Sequence, residues 1–200
     1  MRASGDISVT LFQQLKPIGS QPPRLDGLAK VHKNNIPVRP VLSMPGSAYH
    51  KVTVQVAECL AKVPECNINS STQQVSETVS NILLEEGEEL VSFDVSSLYT
   101  NVPVEEAILY CADLLYRDSM EEKPPVSKKS FIELAKIASC NVLMSTHDGF
   151  YKQVDGLAMG SPPAPHIANG WMSQYDKEIQ RDAKMYTRYM DDVLREMKKT

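Results

Sequence analysis

The sequence predicts an α+β protein, because segments with helical periodicity and segments with strand character are mixed along the chain. Apolar residues recur every three or four positions over residues 104–115, which is typical of an amphipathic helix. Short apolar runs that suit strands stand between such segments, as at residues 90–93. Asp148-Gly149 is a turn signal between two further runs and predicts a β-hairpin. Irregularly mixed strands and helices favour the α+β class.

The first 44 residues are predicted to be extended, and the first helix follows them. Residues 1–23 contain Lys16-Pro17 and Pro22-Pro23 and are interpreted as an extended lead-in. Residues 24–44 are short apolar and basic runs broken by prolines, which predicts two strands of a hairpin. Ser47 is then predicted to cap a helix. The apolar face of this helix would consist of Val52, Val56 and Leu60.

A second helix is predicted over residues 71–84, before a strand that ends in a carboxylate. Its apolar positions are Val75, Val79, Ile82 and Leu83. The acidic stretch 85–89 breaks the chain, and residues 90–94 form a short strand that ends at Asp94.

The second half of the chain continues with three helices and two pairs of strands. Pro103 is placed at the first turn of the helix over 104–115, a position that proline tolerates. Ser127 opens the next helix, and the Asp148-Gly149 hairpin follows it. Prolines at 162, 163 and 165 crowd the start of a long helix, and the chain finishes as a strand, an Asp-Asp turn and a strand. The inward positions of the helix that Ser127 opens are predicted to be Phe131, Leu134 and Ala138. The long helix contains Ile167, Trp171 and Tyr175, and Trp171 is interpreted as a core residue.

The composition is that of an ordinary globular chain and excludes several classes of protein. Of 200 residues, 42% are hydrophobic and 23% are charged, and no apolar stretch is long enough to predict a membrane span. The first residues lack the apolar run of a secretory signal. The four cysteines show no CxxC spacing, so reduced thiols inside a cell are expected rather than a zinc site or disulfides. The net charge of −4 means that nucleic-acid binding would need a local basic groove or a basic part of the protein outside this sequence.

Residues 189–192 read Tyr-Met-Asp-Asp, which places two adjacent carboxylates between strand-forming residues. Side chains alternate across a strand, so these two aspartates can share a face only where the chain turns. Two anionic groups at a tight turn repel each other, and a divalent cation would relieve that repulsion. Asp94, at the end of its predicted strand, is a candidate third carboxylate. The alternatives are a solvated Asp-Asp turn and an Asp94 that caps a turn.

Four stretches in order resemble the motifs of a reverse transcriptase, and in detail those of the Penelope-like retroelement class. Together they extend over nearly the whole chain, which makes the resemblance far more specific than the tetrapeptide alone. The stretches are residues 15–24 with 27–33 and Arg39-Pro40, residues 92–103, residues 155–162, and residues 188–192.

The resemblance implies the fingers and a partial palm of a right-hand polymerase, with an antiparallel palm sheet backed by helices. Residues 1–23 would be the lead-in, residues 24–89 a fingers-like region and residues 90–200 a palm-like region. A fingers-like insertion is expected around residues 118–155. The chain is expected to be truncated shortly after the Tyr-Met-Asp-Asp motif, before the thumb.

The resemblance also implies a catalytic metal site. Asp94, Asp191 and Asp192 would bind two Mg²⁺ ions, with Mn²⁺ as an alternative, and the Val95 carbonyl would be a backbone ligand. A nucleotidyl transferase needs such hard cations to bridge the incoming triphosphate and the attacking hydroxyl.

The nucleotide-binding residues that the resemblance implies are Lys30, Arg39, Tyr99, Gly160 and Ser161, with Lys33 as a weaker candidate. The two cations would hold the triphosphate, although lysines on a solvated strand edge are a common alternative. Tyr99 matches the steric gate that excludes a 2′-hydroxyl, and its alternative is a core aromatic. The Gly-Ser turn would contact the nascent base pair and template, or else be a helix entry without a ligand.

The implied function is RNA-directed DNA polymerisation by a fragment of a retrotransposon enzyme. Its partners would be an RNA template, a DNA primer and deoxynucleoside triphosphates (dNTPs), without a membrane. An intracellular and specifically nuclear location is expected of a retroelement enzyme, although no targeting signal is seen. The alternative is a catalytically inactive retroelement remnant that binds nucleic acid or a partner without polymerising. A third interpretation is another lineage, intron-encoded or telomerase-like.

Overall fold

The computed structural model describes residues 6–17, 21–31, 34–67, 70–140, 142–181 and 183–199. Within these ranges the chain forms α-helices, one 3₁₀-helix at Pro64–Asn67, and strands arranged in two separate sheets. The predicted α+β class is therefore confirmed. Lys33, His32 and the Gly19-Ser20 part of the lead-in lie outside the described residues.

The sheet that carries the acidic residues has three antiparallel strands. They are β3 (Glu88–Asp94), β6 (Tyr186–Tyr189) and β7 (Asp192–Lys198), and β7 lies in the centre. The strands β3 and β7 pair along their whole length, from Glu88 opposite Lys198 to Asp94 opposite Asp192. Both predicted strands around the Asp-Asp turn are thus present, and the turn meets the end of β3.

The other sheet has four strands in the order β2-β1-β4-β5. The predicted hairpin over 24–44 is observed as β1 (Arg24–Ala29) and β2 (Val38–Ser43), and the Asp148-Gly149 turn joins β4 (Leu143–Ser145) to β5 (Phe150–Lys152). The two hairpins meet where Arg24 in β1 pairs in parallel with Ser145 in β4.

The helices form the core on which these sheets rest. They are α1 (Val9–Leu15), α2 (His50–Leu60), α3 (Thr72–Asn81), α4 (Leu98–Asn101), α5 (Val104–Tyr116), α6 (Lys128–Ser139) and α7 (Ala164–Arg181). Four of them, α2, α5, α6 and α7, pack against one another, and α7 also packs against the 3₁₀-helix. A buried cluster of apolar side chains fills the space between them, including Val56, Ile108, Phe131 and Ile167.

Two predictions in the first 60 residues are wrong. The lead-in over 1–23 is not extended throughout, because α1 begins after Ser8, whose side chain accepts a hydrogen bond from the Leu11 amide. Leu11 is buried in the core, and this packing stabilises a short helix that the neighbouring prolines had obscured. Ser47 does not cap α2, which starts at His50 after Tyr49, and the buried Ser47 hydroxyl has no hydrogen-bond partner among the described residues.

The predicted helix over 71–84 exists but does not bury the predicted face. It ends at Asn81, has a capping box at Ser71, and contains no buried residue. Ile82 is the C-terminal cap in an extended conformation, and Leu83 beyond it is 87% exposed. The apolar spacing therefore indicated the helix correctly but not a packing partner. The predicted cap at Ser127 is confirmed, because its side chain accepts a hydrogen bond from the Ser130 amide.

Among the described residues, no helix is both long and apolar enough to cross a lipid bilayer.

Candidate active site

The three predicted carboxylates meet at one corner of the three-stranded sheet. Asp94 is the last residue of β3 and lies opposite Asp192, the first residue of β7. Residues directly opposite each other in an antiparallel pair project from the same face, so these two side chains lie side by side. Asp191 lies in the turn just before Asp192, and its carbonyl accepts a hydrogen bond of 2.8 Å from the Val95 amide. The chain thus fixes the Asp-Asp turn to the residue that follows Asp94.

The turn itself has an uncommon backbone conformation. Tyr189 pairs with Asp192, so Met190 and Asp191 form a two-residue hairpin loop, and Met190 has a φ of 54°. Two-residue hairpin loops favour positive φ because it matches the twist of the strands. A residue with a side chain adopts this conformation at a cost of about 1–3 kcal/mol, which contacts elsewhere must offset.

A cleft of about 820 Å³ opens beside this corner and collects the predicted side chains from distant parts of the sequence. The hairpin of β1 and β2, called the fingers-like hairpin below, contributes two cations. The acidic corner contributes two carboxylates, α4 contributes an aromatic ring, and the loop before α7 contributes a Gly-Ser turn. The predicted residues that line the cleft are Lys30, Arg39, Asp94, Tyr99, Gly160, Ser161 and Asp191. Among the described residues, Val95 and Asp192 adjoin this group without lining the cleft.

The charges in the cleft are not paired with one another inside the protein. None of the ion pairs between described residues includes Lys30, Arg39, Asp94, Asp191 or Asp192. Cationic and anionic side chains in one open cleft can therefore both engage a ligand that carries charges of both signs. A metal–polyphosphate complex is such a ligand.

Tyr99 faces both the cleft and the core. Burial raises the pKa of its hydroxyl above the usual value of 10, and the negative charge of Asp191 raises it further, so the hydroxyl is protonated at physiological pH. Part of the ring also packs against the main apolar cluster. Tyr99 therefore contacts the core, as expected of a core aromatic, and also lines the cleft, as expected of a steric gate.

A glycine supports the position of Tyr99. Gly156 has a φ of 71°, and a Cβ there would lie 2.7 Å from both the Tyr99 carbonyl oxygen and the Thr100 Cα. The adjacent Leu157 amide donates a hydrogen bond of 2.7 Å to the same Tyr99 carbonyl. Sequence reasoning assigned no role to Gly156, although it lies in one of the quoted motifs.

The Gly-Ser turn contacts the fingers-like hairpin in the same way. Gly160 has a φ of 93°, and a Cβ there would lie 2.3 Å from the Leu42 carbonyl oxygen in β2. The Leu42 amide donates a hydrogen bond of 2.7 Å to the Met159 carbonyl. Ser161 is 4% exposed, and its hydroxyl has no hydrogen-bond partner within the described part of the chain.

The donors at the acidic corner fit a hard divalent cation that is held only partly by protein. Among the residues that the structure describes, no three acidic, histidine or cysteine side chains converge closely enough to form a complete metal cage. Asp94 and Asp191 nevertheless face one cleft, and Mg²⁺ is usually bound by one or two carboxylates together with substrate phosphates and water. The arrangement therefore suits Mg²⁺ that arrives with a nucleotide better than a resident structural ion.

The residue before the tetrapeptide is a functional candidate that sequence reasoning missed. Arg188 is 1% exposed and forms an ion pair of 2.7 Å with Asp176 on α7. Only the position of Arg188 inside the quoted 188–192 motif signalled it, since neither its burial nor its partner is visible in the sequence.

Comparison with known proteins supports the assignment of this fold. The reverse transcriptase (RNA-dependent DNA polymerase) family model matches residues 31–198. No curated protein sequence matches the chain significantly.

Solved structures share the fold at low sequence identity. The apo telomerase of Candida tropicalis, truncated from its C-terminal domain, is 15% identical with a TM-score of 0.56, over 88% of this chain and 44% of the telomerase. The telomerase of Candida albicans in complex with a TWJ fragment of telomeric RNA is 10% identical with a TM-score of 0.54, over 96% and 39%.

A third similar structure is the RNA polymerase complex inside a dsRNA virus, at 10% identity and a TM-score of 0.51, over 99% of this chain and 20% of the polymerase. The chain thus spans less than half of each of these proteins. Because the family model covers most of the sequence and these folds agree with it, the chain belongs to the reverse transcriptase (RNA-dependent DNA polymerase) family.

Proposed function

We propose that this chain is the fingers and palm portion of an RNA-directed DNA polymerase that transfers dNTPs to a primer 3′-hydroxyl. The observation that carries the proposal is the single cleft in which Lys30 and Arg39 face the same space as Asp94 and Asp191. A magnesium–dNTP complex presents phosphate oxygens to cations and a metal to carboxylates, so it matches both halves of this cleft.

Each charged residue has a distinct task in this proposal. The Arg39 guanidinium donates paired hydrogen bonds to phosphate oxygens, and Lys30 adds a point charge. Asp94 and Asp191, with the Val95 carbonyl, would hold two Mg²⁺ ions, and Asp192 would support them from the neighbouring strand position. Bound there, Mg²⁺ would supply positive charge for the primer hydroxyl and the pyrophosphate leaving group. The protein itself contributes position and charge rather than acid–base chemistry.

The remaining cleft residues select the substrate. Tyr99 packs under the deoxyribose, where its ring would collide with a 2′-hydroxyl. The Gly160-Ser161 turn lines the same cleft and would contact the nascent base pair and template through its backbone.

The template is proposed to be RNA, the primer DNA, and the source a Penelope-like retroelement whose enzyme acts in the nucleus. The four ordered motifs support this class, and the described C. albicans telomerase, which shares the fold, was solved with a fragment of telomeric RNA.

The experiment measures Mg²⁺-dependent dTTP binding and primer extension on an RNA template by this chain. Asp191→Asn and Arg39→Ala are each expected to weaken dTTP binding about tenfold or more, because each removes a charge-assisted contact. Asp118→Asn, which removes an exposed carboxylate outside the cleft, is the matched control and is expected to bind normally. Full Mg²⁺-dependent extension by Asp191→Asn would exclude the metal role. Tyr99→Ala is expected to increase incorporation of UTP relative to dTTP.

A second candidate function is nucleic-acid binding without polymerisation. It is favoured by the absence of a three-ligand cage among the described residues and by the position of Asp192 beside, rather than in, the cleft. Salt-sensitive binding of an RNA–DNA hybrid without dTTP binding or extension would support this candidate over the first.

A further inference from the structure

A buried arginine connects the Asp-Asp turn to the longest helix. The Arg188 side chain is fully enclosed between β6 and α7. Its Nε and Nη2 donate hydrogen bonds of 2.9 and 2.7 Å to the two carboxylate oxygens of Asp176. Its Nη1 donates one bond of 2.8 Å to the Asn169 side chain and one of 2.9 Å to the Met190 carbonyl.

The contact with Met190 is the important one, because it reaches the turn. Met190 has the strained positive φ, and the next residue is Asp191. Helix α7 holds the guanidinium rigidly, since Asp176 grips it in a bidentate pair and Tyr186 also donates a hydrogen bond to Asp176. The turn is thus attached to α7 by Arg188 and to β3 by the bond from Val95 to the Asp191 carbonyl.

These hydrogen bonds oppose the repulsion between the carboxylates at the acidic corner. Asp94, Asp191 and Asp192 are like charges at neighbouring positions, and without a cation they favour an opened turn. A buried ion pair alone is weak evidence of a stabilising role, since desolvation offsets much of its attraction. Arg188 differs from an ordinary buried pair because it also donates a hydrogen bond to the carbonyl of Met190, the residue with the positive φ.

We propose that Arg188 is a positioning residue that holds the Met190-Asp191 turn in the conformation that presents Asp191 to the cleft. The part of the inference that concerns metal binding rests on the proposed function, whereas the part that concerns the turn does not. Lysine cannot replace Arg188, because an ammonium lacks the planar fork that reaches Asp176, Asn169 and Met190 together.

The chain offers a matched control for this arginine. Arg117, just after α5, forms a similar two-pronged pair with Glu65 in the 3₁₀-helix, although the Arg117 side chain is 32% exposed. Neither residue contacts the turn. Arg117→Lys therefore makes the same chemical change, and a purely structural role for Arg188 predicts that both substitutions act through global stability alone.

Two measurements on Arg188→Lys and Arg117→Lys separate these roles. The first is hydrogen exchange of the Val95 amide, which reports whether the Asp191 carbonyl is held in place. The second is the affinity for Mn²⁺, followed by its paramagnetic signal. In Arg188→Lys we expect exchange of the Val95 amide to accelerate about tenfold beyond the change due to global unfolding. We also expect Mn²⁺ binding to weaken about 10–100-fold, the range typical when a partner of a metal ligand is lost. In Arg117→Lys we expect neither effect.

Each result decides between the two proposals. Unchanged Val95 exchange in Arg188→Lys, after correction for global stability, would overturn the positioning role, whatever happens to Mn²⁺. Faster Val95 exchange in a chain whose wild type does not bind Mn²⁺ would keep the positioning role and overturn the proposed function. If Arg188→Lys does not fold, urea-dependent exchange of the wild type decides. A clamped turn requires Val95 to exchange only by global unfolding, and a low-energy local opening would refute the clamp.

Discussion

Replacement of Gly160 by alanine tests whether close backbone contact joins the loop before α7 to the fingers-like hairpin. Gly160 has a φ of 93°, and a Cβ at this position would lie 2.3 Å from the Leu42 carbonyl oxygen and 3.0 Å from the Leu42 nitrogen. Both of these atoms belong to the backbone, so no flexible side chain can move aside to relieve the contact. The loop and β2 must separate instead.

Two contributions to the loss of stability can be worked out from the geometry. A residue with a side chain at this φ costs about 1–3 kcal/mol of unfolding free energy. Separation of the loop from β2 also breaks the bond of 2.7 Å from the Leu42 amide to the Met159 carbonyl, which contributes about 1 kcal/mol. Gly160→Ala is therefore expected to destabilise the protein by about 2–4 kcal/mol. It should also weaken dTTP binding, because β2 carries Arg39.

Gly87→Ala is the matched control for the backbone strain. Gly87 has a similar φ of 87°, but a Cβ there would meet nothing within 4 Å. Urea unfolding should show that Gly160→Ala loses about 1 kcal/mol or more beyond the loss in Gly87→Ala, the share due to contact with Leu42. Equal losses in the two variants, with unchanged dTTP binding, would refute the reasoning that the contact with β2 matters.

Two further predictions concern the helical core. Burial lowers the pKa of His166 below its usual 6.5, although a hydrogen bond to the Cys66 carbonyl opposes this shift. The unfolded chain therefore binds a proton more readily than the folded protein, and stability falls as the pH drops below about 6.5. Urea unfolding at about pH 7.5 and 5.5 should show part of this loss in the wild type and not in His166→Gln, and an equal loss in both would contradict the assignment. Gly170→Ala would place a Cβ 2.5 Å from the Cys111 sulfur, which costs about 1–3 kcal/mol. Adding Cys111→Ala should recover part of that loss, and strictly additive losses would show that the two residues are not in contact.

Elements with strong local signals could be predicted from the sequence. Asp148-Gly149 specified its hairpin, and Ser127 specified the start of α6, because turn and cap chemistry depend on adjacent residues only. Packing could not be predicted in the same way. The helix α3 has apolar spacing but no buried residue, whereas α1 is stabilised by burial of Leu11 despite the prolines that follow it. Periodicity indicates a face, but the rest of the chain decides whether that face is covered.

The site shows the same division between local and tertiary information. Asp94 was chosen from its place at the end of a predicted strand and Tyr99 by resemblance, and the fold brings both into one cleft with Arg39. The burial of Arg188 against Asp176 was not predictable, because it depends on how α7 crosses the sheet. Charged residues are normally assigned to the surface, so a sequence argument places this arginine in solvent.

The loop between β5 and α7 contacts both the residue proposed to select the sugar and the strand of the residue proposed to bind phosphate. Its Leu157 amide binds the carbonyl of Tyr99, and its Met159 carbonyl binds the amide of Leu42 in the strand of Arg39. The ring proposed to select the sugar and the cation proposed to bind phosphate are thus both connected to one short segment of the chain. A change that loosens this segment should therefore alter dNTP affinity and sugar selection together, whereas truncation of Tyr99 should alter sugar selection alone.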